Sequence, residues 1–168
     1  MFSVFNDMDE IIENLYLGDL FGARNIDKIK KLGIKKVLSL SDEYFPKYKE
    51  SDNIAHKTLK VLDCDEQNII KYFGECLDFI KGEDKTLVHC AAGASRSATI
   101  VIAYLMWTKK IPFKEALDFV QDKRNIVCPN HGFEEQLEIF EKKLIENNYN
   151  IDKIKFNEIK WEPNNHYK

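Results

Sequence analysis

Nine consecutive residues, His89-Cys90-Ala91-Ala92-Gly93-Ala94-Ser95-Arg96-Ser97, bring a thiol, a guanidinium and two hydroxyls together. A short apolar strand, Thr86 to His89, precedes the turn. A helix from Ser97 to Trp107, apolar on nearly all sides, follows it and is expected to be buried. Such a strand-to-helix turn presents successive backbone N–H groups, and the helix adds the positive end of its dipole. In open parallel sheets ligands bind at this carboxyl edge of the strands. The turn is therefore an anion cradle before any side chain is counted. Cys90 lies at its base, where the same amides favour a thiolate. Arg96, six residues on, can curl over the cavity and hold two oxygens of a tetrahedral anion with its planar fork, which Lys cannot do. Gly93 permits a backbone geometry that a Cβ would obstruct. Ser97 can donate its hydroxyl to the Cys90 sulfur when that sulfur leaves. A thiolate beneath a phosphate-shaped hole suits attack on phosphorus, with a phosphocysteine that water then hydrolyses. Arg96 and the amides of Ala91, Ala92, Gly93, Ala94 and Ser95 would stabilise the transferring group without a metal or other cofactor.

These residues need a framework, and the chain of 168 residues is the length of one domain with a short extension. Strand-like runs at 14–17, 34–40, 57–62 and 86–89 alternate with helix-like runs at 25–32, 69–80, 97–107, 113–123 and 133–147. Alternation of this kind predicts an α/β fold with a mostly parallel central sheet of four to five strands, flanked by helices on both faces. Asn25 is an expected N-cap and Gly33 a helix stop. Residues 1–9 read as an N-terminal arm, 10–147 as the catalytic domain and 148–168 as a polar tail. Ile151, Ile154, Phe156, Ile159 and Trp161 in that tail are available to pack on the core or to dock a partner.

Composition narrows the function classes. There are 25 cationic and 28 acidic residues, for a net charge of −3, which disfavours a nucleic-acid binder. Among the cations 22 are Lys and three are Arg: Arg24, Arg96 and Arg124. The acidic start lacks a signal-peptide pattern, and no apolar run is long enough to span a bilayer, so no membrane association is expected. Four irregularly spaced cysteines do not read as a disulfide framework, which suits the reducing cytoplasm or nucleus. Cys128 and His131 are too sparse for a metal site.

HCAAGASRS resembles the signature of the Cys-dependent protein tyrosine phosphatases, and specifically their small dual-specificity branch. The likeness continues in ENLYLGDLFGARN, YFGECLDFI, SATIVIAYLM and NIVCPNHGFEEQL, over roughly residues 10–145. Their order is similar to that of the atypical members, which lack a kinase-docking domain. The resemblance implies a single protein tyrosine phosphatase-like domain that hydrolyses phosphotyrosine and phosphoserine/threonine in a phosphoprotein substrate. It also implies a general acid, an Asp ten residues before the Phe of a Tyr-Phe pair. Tyr72-Phe73 is that pair, so Asp63 is the candidate and Asp65 the alternative. His89, ending the strand with its side chain opposite to Cys90, is expected to scaffold the loop. Asn130 resembles the family Asn that braces the phosphate loop, although a plain turn role after Pro129 stays open. Arg124 either borders the substrate groove or answers a helix dipole. Two other readings remain at this point. One is a phosphatase of a non-protein phosphate, a phosphoinositide or an RNA 5′ end. The other is a non-catalytic phosphate-binding module. The uncharged Ala91, Ala92, Ala94 and Ser95 favour a phosphoprotein over more highly charged phosphates, and the presence of Cys90, Arg96 and Asp63 favours an enzyme over a binding module.

Overall fold

The computed structural model describes residues 6–163. In chain order the elements are β1 (Met8–Ile12), β2 (Leu15–Gly18), α1 (Leu20–Arg24), α2 (Ile26–Leu32), β3 (Lys36–Ser41), β4 (Ala55–Lys60), α3 (Phe73–Ile80), β5 (Thr86–His89), α4 (Arg96–Lys109), α5 (Phe113–Lys123) and α6 (His131–Glu146). Short 3-10 turns occupy Glu50–Asp52, Ile70–Tyr72, Ile151–Lys153 and Phe156–Glu158. The strands form one sheet of order β1-β2-β5-β3-β4, parallel except for the antiparallel β1–β2 pair.

Successive strand residues point to opposite faces, and the apolar ones divide accordingly. Leu15, Leu17, Leu38, Leu40 and Val88 enter one core cluster, whereas Tyr16, Val37 and Leu87 enter the other. The larger cluster lies under α3, α4, α5 and α6. The smaller is closed by Ala23 of α1 and Ile29 of α2. Helices therefore cover both faces, as the alternating pattern requires. At the centre is α4: Ala98, Ile100, Val101, Ile102, Ala103, Leu105 and Met106 are all fully buried. Its sequence lacks a polar face because α3, α5, α6 and the sheet surround it. Local signals also hold elsewhere. Asn25 accepts from the Lys28 amide as the cap of α2, and Gly33 ends that helix at φ +77°.

Two features depart from the sequence reading. First, β1 was not anticipated. Only Met8 and Ile11 of its five residues are buried, and the register shifts between Glu10 and Ile12, so no alternation is visible. The sheet thereby takes in residues 8 and 9 of the expected arm. Second, the helix expected from Ile69 begins as a 3-10 turn and becomes α-helical at Phe73. Much of the segment after residue 147 packs on the core. Ile151, Ile154 and Phe156 are buried in the larger core, with the Phe156 ring 6.0 Å from that of Phe140. Gly74 leaves room for it, since a Cβ there would lie 2.8 Å from the Phe156 ring. Asn164 and Asn165 lie outside the described residues.

One polar line crosses the sheet. Ser39 of β3 lies opposite His89 of β5, with 2.5 Å between Oγ and Nε2, and its Oγ is also 2.7 Å from Nε2 of His56 on β4. His89 Nδ1 is 3.1 Å from the Cys90 carbonyl and donates to it. The neutral His89 ring then accepts from Ser39, which in turn accepts from His56. Burial pushes the His89 pKa down to about 4, with a further push from His56, against the opposing bond to the Cys90 carbonyl. The unfolded chain would protonate this ring near 6.5, so it binds more protons than the folded chain between pH 6.5 and 4. Stability is therefore lost as pH falls through that window, by up to about 3 kcal/mol from this group. Urea midpoints between pH 6.5 and 4.5 should fall more steeply in wild type than in His89→Asn. An equal fall in both would contradict a neutral buried ring.

Candidate active site

The loop between β5 and α4 is built by turning its carbonyls outward. The Cys90 carbonyl accepts from His89, that of Ala91 from the Leu20 amide at 3.2 Å, and that of Ala94 from the Cys128 amide at 2.8 Å. Arg124 takes the two between: its Nη2 donates to the Ala92 carbonyl at 3.2 Å and its Nε to the Gly93 carbonyl at 3.0 Å. In a trans peptide the C=O of one residue and the N–H of the next point in opposite directions. Five outward carbonyls therefore aim the amides of residues 91–95 inward, into one concavity. Ala91 and Ala92 are exposed there, so the concavity is open to solvent. The Ser95 carbonyl accepts from Thr99, at the start of α4, whose N-terminal end faces the same space.

Gly93 is required twice over. Its φ is +66°, and a Cβ would lie 2.5 Å from the Gly18 carbonyl oxygen. The sulfur of Cys90 sits at the floor with 3% of the residue exposed. The Gly93 amide donates to it at 3.3 Å, and the Ser97 hydroxyl is 3.0 Å away.

Arg96 opens α4 with its side chain largely buried. Nη1 donates to Asp42 at 2.9 Å and to the Val61 carbonyl at 3.1 Å. Its Nε is buried and has no partner among the described residues. An unmet charged donor inside a protein is costly, and a bound anion would satisfy it. The hydrogen bond from Arg96 holds the Asp42 carboxyl below the ordinary carboxylate range. Asp42 was not anticipated from sequence. It stands 54 positions from its partner, beyond the reach of any local pattern.

Asn130 links two sides of the site. As the N-cap of α6 it accepts from the Phe133 amide, its own amide donates to Ser95 Oγ at 3.0 Å, and its Nδ2 donates to Asp63 Oδ1 at 2.9 Å. The structure thus links Asp63 to the phosphate loop through one residue, Asn130. Asp65 is held differently: its Oδ1 accepts from the Gly132 amide at the start of α6. Arg124 is not a groove residue. It is buried, and it also donates to the Asn6 carbonyl and to Asp9, both at 2.7 Å. The rarity of Arg was a usable signal for it, but its partners lie 31 to 118 positions away. Arg24 is exposed. All four cysteines are free thiols, and among the described residues no group of three or more His, Cys, Asp or Glu is placed to hold a metal. Among those residues, too, no helix is long and apolar enough to cross a membrane.

Comparison with known proteins identifies relatives along most of the chain. The family model described as the dual specificity phosphatase catalytic domain matches residues 15–143. Dual specificity protein phosphatase 1B of Arabidopsis thaliana is 37% identical over 142 residues, covering 82% of this chain and 84% of the relative. Dual specificity protein phosphatase 22-A of Danio rerio is 34% identical over 144 residues, covering 83% and 68%. Among solved structures, the human tyrosine phosphatase-like serine/threonine/tyrosine-interacting protein superposes with a TM-score of 0.77 at 33% identity, over 82% of this chain and 97% of that one. With an anion cradle at the carboxyl edge of its sheet and relatives of this likeness along most of its length, the chain belongs to the dual-specificity protein phosphatases.

Proposed function

We propose that this phosphatase removes phosphate from phosphotyrosine and phosphoserine/threonine in proteins through a covalent intermediate on Cys90. The observation that carries this reading is the pairing of a buried sulfur, held by the Gly93 amide and Ser97 hydroxyl, with a buried Arg96 Nε that lacks a partner among the described residues.

The substrate phosphate enters the cradle, and its oxygens accept from the loop amides and from the Nε edge of Arg96. Nη1 stays anchored on Asp42 and Val61, so the guanidinium is already oriented when the anion arrives. The Cys90 thiolate attacks phosphorus as the bond from phosphorus to the substrate oxygen breaks. Asp63, protonated, gives its proton to that leaving oxygen, which then departs as an alcohol or phenol. In the second step the Asp63 carboxylate takes a proton from water. The hydroxyl oxygen bonds to phosphorus, the P–S bond breaks, and inorganic phosphate leaves. Ser97 donates to the sulfur as it regains negative charge. Both carboxylates are exposed; Asp63 is favoured over Asp65 because its hydrogen-bond partner, Asn130, also donates to Ser95 of the loop, whereas Asp65 accepts from the Gly132 amide in the first turn of α6.

The uncharged side chains at 91, 92, 94 and 95 and the exposed loop suit a protruding phosphoresidue. They offer no additional cation for a polyphosphorylated lipid or nucleotide.

Hydrolysis of p-nitrophenyl phosphate in the presence of EDTA should fall by at least about 10³-fold in Cys90→Ser. Retained turnover in that variant would overturn the mechanism. On phosphotyrosine and phosphothreonine peptides, Asp63→Asn should lose roughly 10²-fold or more in kcat while Asp65→Asn loses far less. The opposite order would move the acid to Asp65. A higher kcat/KM on phosphoinositides or RNA 5′ phosphates than on either peptide would change the substrate class.

A further inference from the structure

We infer that the C-terminal segment, through the indole N–H of Trp161, positions the loop that carries the general acid. The inference rests on the reading of Asp63 as that acid.

Asp63 is exposed, and the side-chain hydrogen bond it receives comes from Asn130. Its placement against the leaving oxygen therefore depends on the backbone of residues 62–68. That backbone is restrained from two directions. Helix α6 restrains it from below: Gln136 accepts from the Ile69 and Ile70 amides and donates to the Gln67 carbonyl, and the Gly132 amide donates to Asp65 Oδ1. From the other direction comes a segment 96 positions away, where Trp161 Nε1 donates to the Asp65 carbonyl at 2.9 Å. Asn68, at the end of the same loop, donates from Nδ2 to the Ile159 carbonyl at 3.0 Å. The Asp65 carbonyl is thus caught between the two. A Cβ on Gly132 would lie 2.2 Å from that same oxygen. The carbonyl can sit there only because residue 132 has no side chain, and the indole meets it there.

The segment has the fixity this task needs. Ile151, Ile154 and Phe156 anchor it in the core, Gly74 clears the space for Phe156, and the Asn150 side chain accepts from the Asp152 amide to start its first 3-10 turn. The family match ends at residue 143, so the segment lies outside the matched residues. Errors of about 1 Å in the position of a proton donor cost orders of magnitude in rate. A two-point hold on an otherwise exposed loop is therefore a kinetic device as well as a packing contact. Trp161 is a positioning residue that acts through Asp63.

The test uses the full chain with Trp161→Phe, which keeps an aromatic ring and removes the N–H. Two aryl phosphates serve as substrates: phenyl phosphate, whose leaving group needs a proton, and 2,4-dinitrophenyl phosphate, whose leaving group departs without one. In Trp161→Phe, kcat/KM on phenyl phosphate should fall about tenfold, with less than about a twofold change on the dinitrophenyl ester. In an Asp63→Asn background, Trp161→Phe should add no further loss on phenyl phosphate. Equal losses on both esters, or no loss on either, would overturn the inference. If Asp63→Asn itself shows no leaving-group dependence, the assignment of Asp63 fails instead.

Discussion

Everything at the site depends on where the phosphate-loop carbonyls point. A turn of free peptide would show carbonyls and amides on both sides and would have no preference for an anion. Here each carbonyl from Cys90 to Ala94 has a donor outside the loop, and the amides consequently converge. Arg124 supplies two of those donors from one guanidinium. Charge-assisted hydrogen bonds of this kind contribute about 1.5–3 kcal/mol each. The charge that Arg124 brings into the interior is offset by Asp9 on β1. A strand with little sequence signature thus anchors the residue that shapes the cradle. Lys at 124 would keep the charge but lose the fork that spans two successive carbonyls.

The same logic extends outward from the loop. Leu20 at the start of α1 and Cys128 ahead of α6 each give a backbone amide to a loop carbonyl. Strand β5, helix α4, the segment after α5 and the first turn of α1 are therefore all held at one point. Gly93 is what allows that approach, since its φ and its distance to Gly18 both exclude a side chain. Asn130 then ties the cradle to Asp63, donating to both Ser95 and Asp63. In the proposed mechanism, phosphate binding and leaving-group protonation would be two ends of one hydrogen-bonded assembly.

What could be read from the sequence was what is local. The nine residues from His89 to Ser97 fold as a strand end, a turn and a helix start, so their types and spacing already placed sulfur, amides and guanidinium together. The limits of α5 match at both ends, because Pro112 cannot continue a preceding helix and the apolar period stops at Lys123. Helices on both faces of the sheet followed from the alternation of strand-like and helix-like runs. The elements that escaped were those whose stability comes from distant partners. In β1 the alternation is broken by a register shift, and the strand is held by β2 and by Arg124. Asp42 gains its role from an Arg 54 positions away. In the C-terminal segment the apolar residues available for packing were legible, but not the vacancy at Gly74 that receives Phe156.

The central claim is that phosphorus passes through the sulfur of Cys90. The most direct measurement is rapid-quench mass spectrometry of the wild-type protein during turnover of an aryl phosphate, with peptide mapping. A phosphoryl group should appear on the peptide containing Cys90 within the first turnover and disappear as substrate is exhausted. It should accumulate to a higher level when Asp63 is replaced by Asn and a dinitrophenyl leaving group is used, since hydrolysis of the intermediate then lacks its base. Turnover with no phosphoryl group on Cys90, or with the group on another residue, would contradict it.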